Sequence, residues 1–136
     1  MDWKLELIVV PVSDVDRAKA FYLEKTGFKL DVDHSGGGDF RVVQMTPPGS
    51  ACSIAIMRNE EPGTIRGLHL IVNDIDAARA ALVDRGTDVT EPFHFDASGR
   101  QESGPDPERR DYNTFLSFND PDGNVWLVQE VGRAKL

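Results

Sequence analysis

The chain has 136 residues, 40% of them hydrophobic and 28% charged, with a formal net charge of −8. That is material for one folded domain with a sizeable core, of globular rather than disordered composition. The acidic balance, with no basic run among its 15 Lys and Arg, excludes nucleic acid as a partner, and no apolar run approaches the roughly 20 residues of a membrane helix.

The opening Met1-Asp2-Trp3-Lys4-Leu5-Glu6 lacks the charged-then-apolar plan of a signal peptide. Residues 5–12 read as a strand. Ser13 or Asp14 can cap a helix over about 14–25, where Val15, Ala18, Phe21 and Tyr22 form one apolar stripe and Gly27 marks the end. Three strands are predicted next: 28–34, then 39–46 after Gly36-Gly37-Gly38, then 51–57 after Pro47-Pro48-Gly49. Cys52, the single cysteine, leaves no internal disulfide and fits a reducing compartment, so a cytoplasmic protein is expected, with Cys52 as buried packing.

A polar connector, Arg58 to Gly63, leads to a strand over 66–72, a helix over 75–85 on Ile75, Ala78 and Leu82, and a strand over 87–93. Residues 94–111 show no periodicity and read as a lid or interface loop. The last strands, 112–118 and 124–131, flank the turn formers Asp120-Pro121-Asp122-Gly123-Asn124.

The chain therefore contains two copies of one plan. Val12-Ser13-Asp14-Val15-Asp16 and Val72-Asn73-Asp74-Ile75-Asp76 each end an apolar run and begin helical spacing. Each copy is a βαβββ unit, over about 5–57 and 66–131. A unit that cannot bury its own apolar face needs its copy, so a single α+β domain of two repeats is expected, with curved sheets around a cavity and helices outside.

The segment from Val12 to Tyr22 with Gly27-Phe28, and the closing Asp120-Pro121-Asp122-Gly123-Asn124, resemble the signatures of the vicinal oxygen chelate superfamily, which includes glyoxalase I, extradiol dioxygenases, fosfomycin resistance enzymes and bleomycin resistance proteins. The resemblance implies metal ligands on the first and last strands of each repeat, at positions that here hold Leu7, Ser53, Gly67 and Leu127. Leu and Gly offer no donor atom, so no metal and no cofactor is expected. A relocated site would need His69, His94 and a carboxylate such as Asp96 or Glu102 to converge.

The same precedent places Ser117 and Val43 inward on the third strands, and strand alternation adds Phe115 and Arg41. The expected pocket has Leu7, Val9, Val43, Met45, Phe115 and Leu127 as walls, and Arg41, Ser53, His69, His94, Ser117 and Gln129 as polar contacts. Tyr22, Phe118 and Trp126 are expected in the core, the last two packed outward against a helix. Metal-independent binding of a small organic ligand by a homodimer is the function these residues favour. The alternative is a lyase, isomerase or dioxygenase-type enzyme with relocated ligands, or with His69 as general base.

Overall fold

Asp14 and Asp74 begin the two helices in the same way. Each has an extended backbone, and each carboxylate accepts the amide of the residue three on, Arg17 N at 3.0 Å and Ala77 N at 3.0 Å. This satisfies an otherwise orphaned donor of the first turn. The protein is described here by a computed structural model covering residues 1–132 and 136. In it the chain runs β1 (Leu7–Val12), α1 (Val15–Glu24), β2 (Lys29–Ser35), β3 (Arg41–Thr46), β4 (Ser53–Arg58), β5 (Leu68–Val72), α2 (Ile75–Asp84), β6 (Phe93–Phe95), β7 (Gln101–Ser103), β8 (Phe115–Asn119) and β9 (Val125–Glu130). The fold is α+β, and the chain divides into two compact units: Met1–Ile65 with Asp120–Asn124, and Arg66–Asn119 with the segment from Val125 onward.

In the first unit the sheet order is β1-β4-β3-β2, with β1 parallel to β4 and the other pairs antiparallel. Val10, Val12, Val43, Met45, Ile54 and Ile56 are buried, as are Ala18 and Tyr22 of α1, which packs on β3 and β4. The 120–124 turn belongs to this unit. Its Asp120 carboxylate accepts the buried Tyr22 hydroxyl at 2.8 Å, Asn124 Nδ2 at 2.8 Å, and the amides of Asp122 and Asn124 at 3.0 and 2.9 Å. Gly63 must be glycine, since its φ is +75° and a Cβ would lie 2.0 Å from the Asp122 carbonyl oxygen.

In the second unit the order is β5-β9-β8-β6-β7, again with the first strand parallel to the last. Leu68, Leu116, Phe118, Trp126 and Val128 are buried on the side where α2 packs on β8 and β9. Phe118 and Trp126 lie there as expected, stacked with centroids 5.9 Å apart.

Two sequence expectations fail in this unit. The strand expected at 87–93 is reduced to one bridge, Val89 to Phe118, and β6 starts only at Phe93. Pro92 has no amide to give a ladder, and Thr90 uses its hydroxyl, which accepts Ser117 N at 3.0 Å. The aperiodic 94–111 segment contains β7, which pairs with β6 as a hairpin. Asp96 closes that hairpin: its carboxylate accepts Ser98 N, Ser98 Oγ and Arg100 N at 2.9, 2.6 and 3.0 Å, and these bonds hold its carboxyl below the ordinary range, the Ser98 hydroxyl contributing most.

Candidate ligand-binding faces

Each sheet has one face covered by its helix and a second that is open in part. On that second face Val9, Val32 and Ile71 are exposed and Ser53, Ala55 and Phe115 buried, and register decides which residues share it. In the second sheet Phe115 pairs with Gln129, Ser117 with Leu127, His69 with Leu127, Ile71 with Gln129, and Phe93 with Phe115. His69, Phe115, Ser117, Leu127 and Gln129 therefore stand on one open face, with Phe93 and Phe95 beside them. The three Phe rings form a cluster: Phe93 stacks on Phe115 at 5.7 Å, and Phe95 meets Phe115 edge-on at 5.5 Å. Phe93 and Phe95 were missed by sequence reasoning, although Phe93-His94-Phe95 is itself a short alternating run.

The polar groups on this face are only partly committed. His69 Nδ1 lies 2.8 Å from the Gly67 carbonyl oxygen. A carbonyl only accepts, so Nδ1 carries a proton, and in the neutral ring Nε2 is the acceptor. Gln129 donates to the Tyr112 carbonyl at 2.9 Å, which fixes its amide plane. Ser117 gives its proton to the Trp126 carbonyl at 3.0 Å. Tyr112 is exposed and sits at φ +67°, a left-handed conformation that costs a non-glycine residue about 1 kcal/mol or more.

His94 alternates away from Phe93 and Phe95, and its Nδ1 bonds the Gly104 carbonyl at 2.7 Å. It therefore lies on the face opposite His69. The convergence of His69, His94 and a loop carboxylate does not form. Among the described residues, no three His, Cys, Asp or Glu side chains are placed to share a metal ion.

In the first sheet Leu7 pairs with Ser53 and Val9 with Ala55, and these four share the open face with Thr46 and Gln44. Val43 pairs with Ile56 and Met45 with Ile54 on the helix-covered side. Val43, Met45 and Arg41 are thus corrected from pocket to opposite face. Two residues (47 and 48) separate the end of β3 from Gly49, against three (120–122) between the end of β8 and Gly123. Counting back from the turn glycine therefore lands one step out of phase in the first repeat, which exchanges the two faces.

Arg41 is instead the hub of an ion network. It donates to Asp16 of α1 at 2.6 Å and to both Asp33 oxygens at 3.1 and 3.0 Å, while Lys19 reaches Asp33 at 2.7 Å. These bonds, Arg41 first and Lys19 next, hold the Asp33 carboxyl far below the usual carboxylate range and raise the Arg41 pKa further. Cys52 is half-buried rather than buried.

With this geometry in hand, the comparisons with known proteins are decisive for the family. The profile of the Glyoxalase/Bleomycin resistance protein/Dioxygenase superfamily matches residues 4–128. The chain belongs to this superfamily. TnmS3, an antibiotic binding protein from Streptomyces sp. CB03234, is 33% identical, with 95% of this chain and 96% of TnmS3 covered and a TM-score of 0.73. A member of the superfamily from Sphaerobacter thermophilus DSM 20745 is 28% identical, over 96% and 99% of the two chains, with a TM-score of 0.72. YetH of Bacillus subtilis (strain 168) is 25% identical over 123 residues, 90% of this chain and 94% of its own.

The metal positions of the superfamily can be tested against the residues present. Leu7, Gly67 and Leu127 supply no donor atom, and the Ser53 hydroxyl lies 2.6 Å from Thr46 Oγ1. This set does not fit a divalent cation, which requires several carboxylate or imidazole groups. No helix among the described residues is long and apolar enough to cross a membrane.

Proposed function

We propose that this protein binds a small organic molecule bearing an aromatic ring on its open sheet faces, without a metal ion. The observation that carries the reading is the Phe93–Phe95–Phe115 cluster beside His69 and Gln129, an apolar wall with a few oriented polar groups. The antibiotic-binding neighbour TnmS3 supports it. The two repeats act as one domain, in the cytoplasm, and the protein works as a homodimer. Apolar side chains on the open faces favour a second copy, since Val9 is 47% exposed, Val32 44% and Ile71 40%. Light scattering at tens of micromolar should give twice the monomer mass.

The binding test is a titration with naphthalene, followed by amide NMR and calorimetry on protein dialysed against a chelator. Binding should perturb residues 93, 115 and 127, persist without metal, and weaken about tenfold in Phe93→Ala, since truncating an aromatic contact costs on the order of 1 kcal/mol or more. Loss of binding on chelation, restored by a divalent ion, would refute the metal-free reading.

A second reading is favoured by the tautomer of His69, whose Nε2 lone pair is free to accept a proton from a substrate while Nδ1 is tied to Gly67. It makes the protein an enzyme with His69 as general base. A ligand or substrate contact predicts that His69→Ala weakens binding by about 1–3 kcal/mol with the melting temperature unchanged. A lower melting temperature with unchanged affinity would make His69 purely structural.

A further inference from the structure

On the open face of the first sheet, Asp31, Thr46 and Ser53 form a chain of hydrogen bonds from three different strands. Asp31 lies at the irregularity of β2, where the register shifts between Leu30 and Val32. The bulge brings its carboxylate to Thr46 Oγ1 on β3, which donates to it. Thr46 Oγ1 is also 2.6 Å from Ser53 Oγ on β4.

The direction of the protons follows from counting. The Asp31 oxygen accepts in this bond, so the single hydroxyl proton of Thr46 goes to Asp31. Thr46 can then only accept from Ser53, and the Ser53 proton is directed along the sheet. What Ser53 Oγ has left is lone pairs. It is flanked by Leu7 and shares its face with Val9 and Ala55, and only 6% of Ser53 is exposed, so a ligand reaches it at a narrow opening in an apolar surround where a hydrogen bond is discriminating.

We propose that Ser53 is a hydrogen-bond acceptor that selects ligands carrying an O–H or N–H donor next to an apolar body, and that Asp31 and Thr46 are positioning residues that impose this polarity. This rests on the reading that a small organic ligand lies on the open faces. It goes beyond that reading by fixing which group the ligand must present. A ligand offering only an ether or carbonyl oxygen there would meet two sets of lone pairs, with no proton between them.

The test compares 2-naphthol with 2-methoxynaphthalene, which differ by replacement of the hydroxyl proton with a methyl group, by calorimetry on the wild type and three variants. The wild type should favour 2-naphthol by about fivefold or more, as for one hydrogen bond. Ser53→Ala should bring the two probes to equal affinity. Asp31→Asn is the sharper variant, because an amide can donate to Thr46. That lets Thr46 donate to Ser53 and turns the Ser53 proton outward, so the preference should fall or invert toward 2-methoxynaphthalene. Val9→Ala, which trims the apolar surround on the same face of the same sheet, should weaken both probes alike and leave their ratio unchanged. Equal wild-type affinities, or a ratio untouched by Ser53→Ala and Asp31→Asn, would overturn the proposal while leaving ligand binding intact. Failure of both probes to bind would overturn the binding reading and the proposal together.

Discussion

The helix-covered face of the first unit ends in a charged margin, Arg41 between Asp16 and Asp33 with Lys19 beyond, whereas that of the second is closed by the stacked rings of Phe118 and Trp126. Both faces are built on the same capped helix and the same parallel pairing of first and last strands. Their energetics differ in kind. Ion pairs open to solvent add little net stability and are screened by salt, while buried rings remove a large apolar area from water. The open faces diverge likewise: hydroxyls among aliphatic side chains in the first sheet, Phe rings with His69 and Gln129 in the second. One backbone plan thus accommodates different chemistry at equivalent places, which is why membership of the superfamily does not by itself assign a function.

The largest effect should come from the ring stack. Trp126 is 2% exposed, so Trp126→Ala should destabilise the protein by about 3–5 kcal/mol in urea unfolding through the cavity it leaves. The loss should be nearly independent of salt. Almost full retention of stability would mean that the second unit collapses onto the space and that its face is no more rigid than the first.

Next is the polar centre of the first unit. Asp120→Ala removes the acceptor of four hydrogen bonds, including those from the buried Tyr22 and Asn124 side chains. It should cost about 3 kcal/mol, read from the same unfolding curves, because the donors are left without a partner. Tyr22→Phe removes one donor and leaves Asp120 its other three bonds, so a much smaller loss is expected. Equal losses in the two variants would show that the Tyr22 hydroxyl, rather than the turn, is what Asp120 serves.

How far the sequence reveals this molecule depends on the range of the interaction concerned. Strand-to-helix steps at Asp14 and Asp74 are local, written in caps and periodicity, and both helices end within a residue of the expected limits. Alternation along β5, β8 and β9 is also local, so the shared open face of His69, Phe115, Ser117 and Gln129 was legible. Register between strands is not local. Gly49 stands one residue nearer its preceding strand than Gly123 does, which displaced Arg41 and Val43 to the opposite face, and nothing in the run Arg41-Val42-Val43-Gln44-Met45 marks which side meets α1. The β6–β7 hairpin was hidden because its strands have three residues each and its turn is made by the Asp96 side chain, below the length at which alternation is informative. Asp31 was hidden for a related reason, since a bulge is not visible without its partner strand.

The smallest expected effect lies at the charged margin, and it depends on pH. Hydrogen bonds from Arg41 and then Lys19 lower the pKa of Asp33 in the folded protein, whereas in the unfolded chain the same carboxyl titrates near its ordinary value of about 4. The unfolded state therefore binds the proton more readily. Stability contributed by Asp33 is fully present above about pH 4 and is lost progressively as the pH falls below it toward the folded value. Asp33→Asn has no proton to take up, so its stability should fall less steeply than that of the wild type over that acid range, and the two curves should run parallel above it. Raising the salt concentration should narrow the difference, because the network is open to solvent. An acid limb as steep in Asp33→Asn as in the wild type would place the acid sensitivity elsewhere. The carboxylates to examine would then be Asp96 and Asp106 of the second unit, whose pKa values are also lowered. For Asp106 the largest influence, burial, acts upward and is outweighed by the bond from Asn113 and the amide of Arg110.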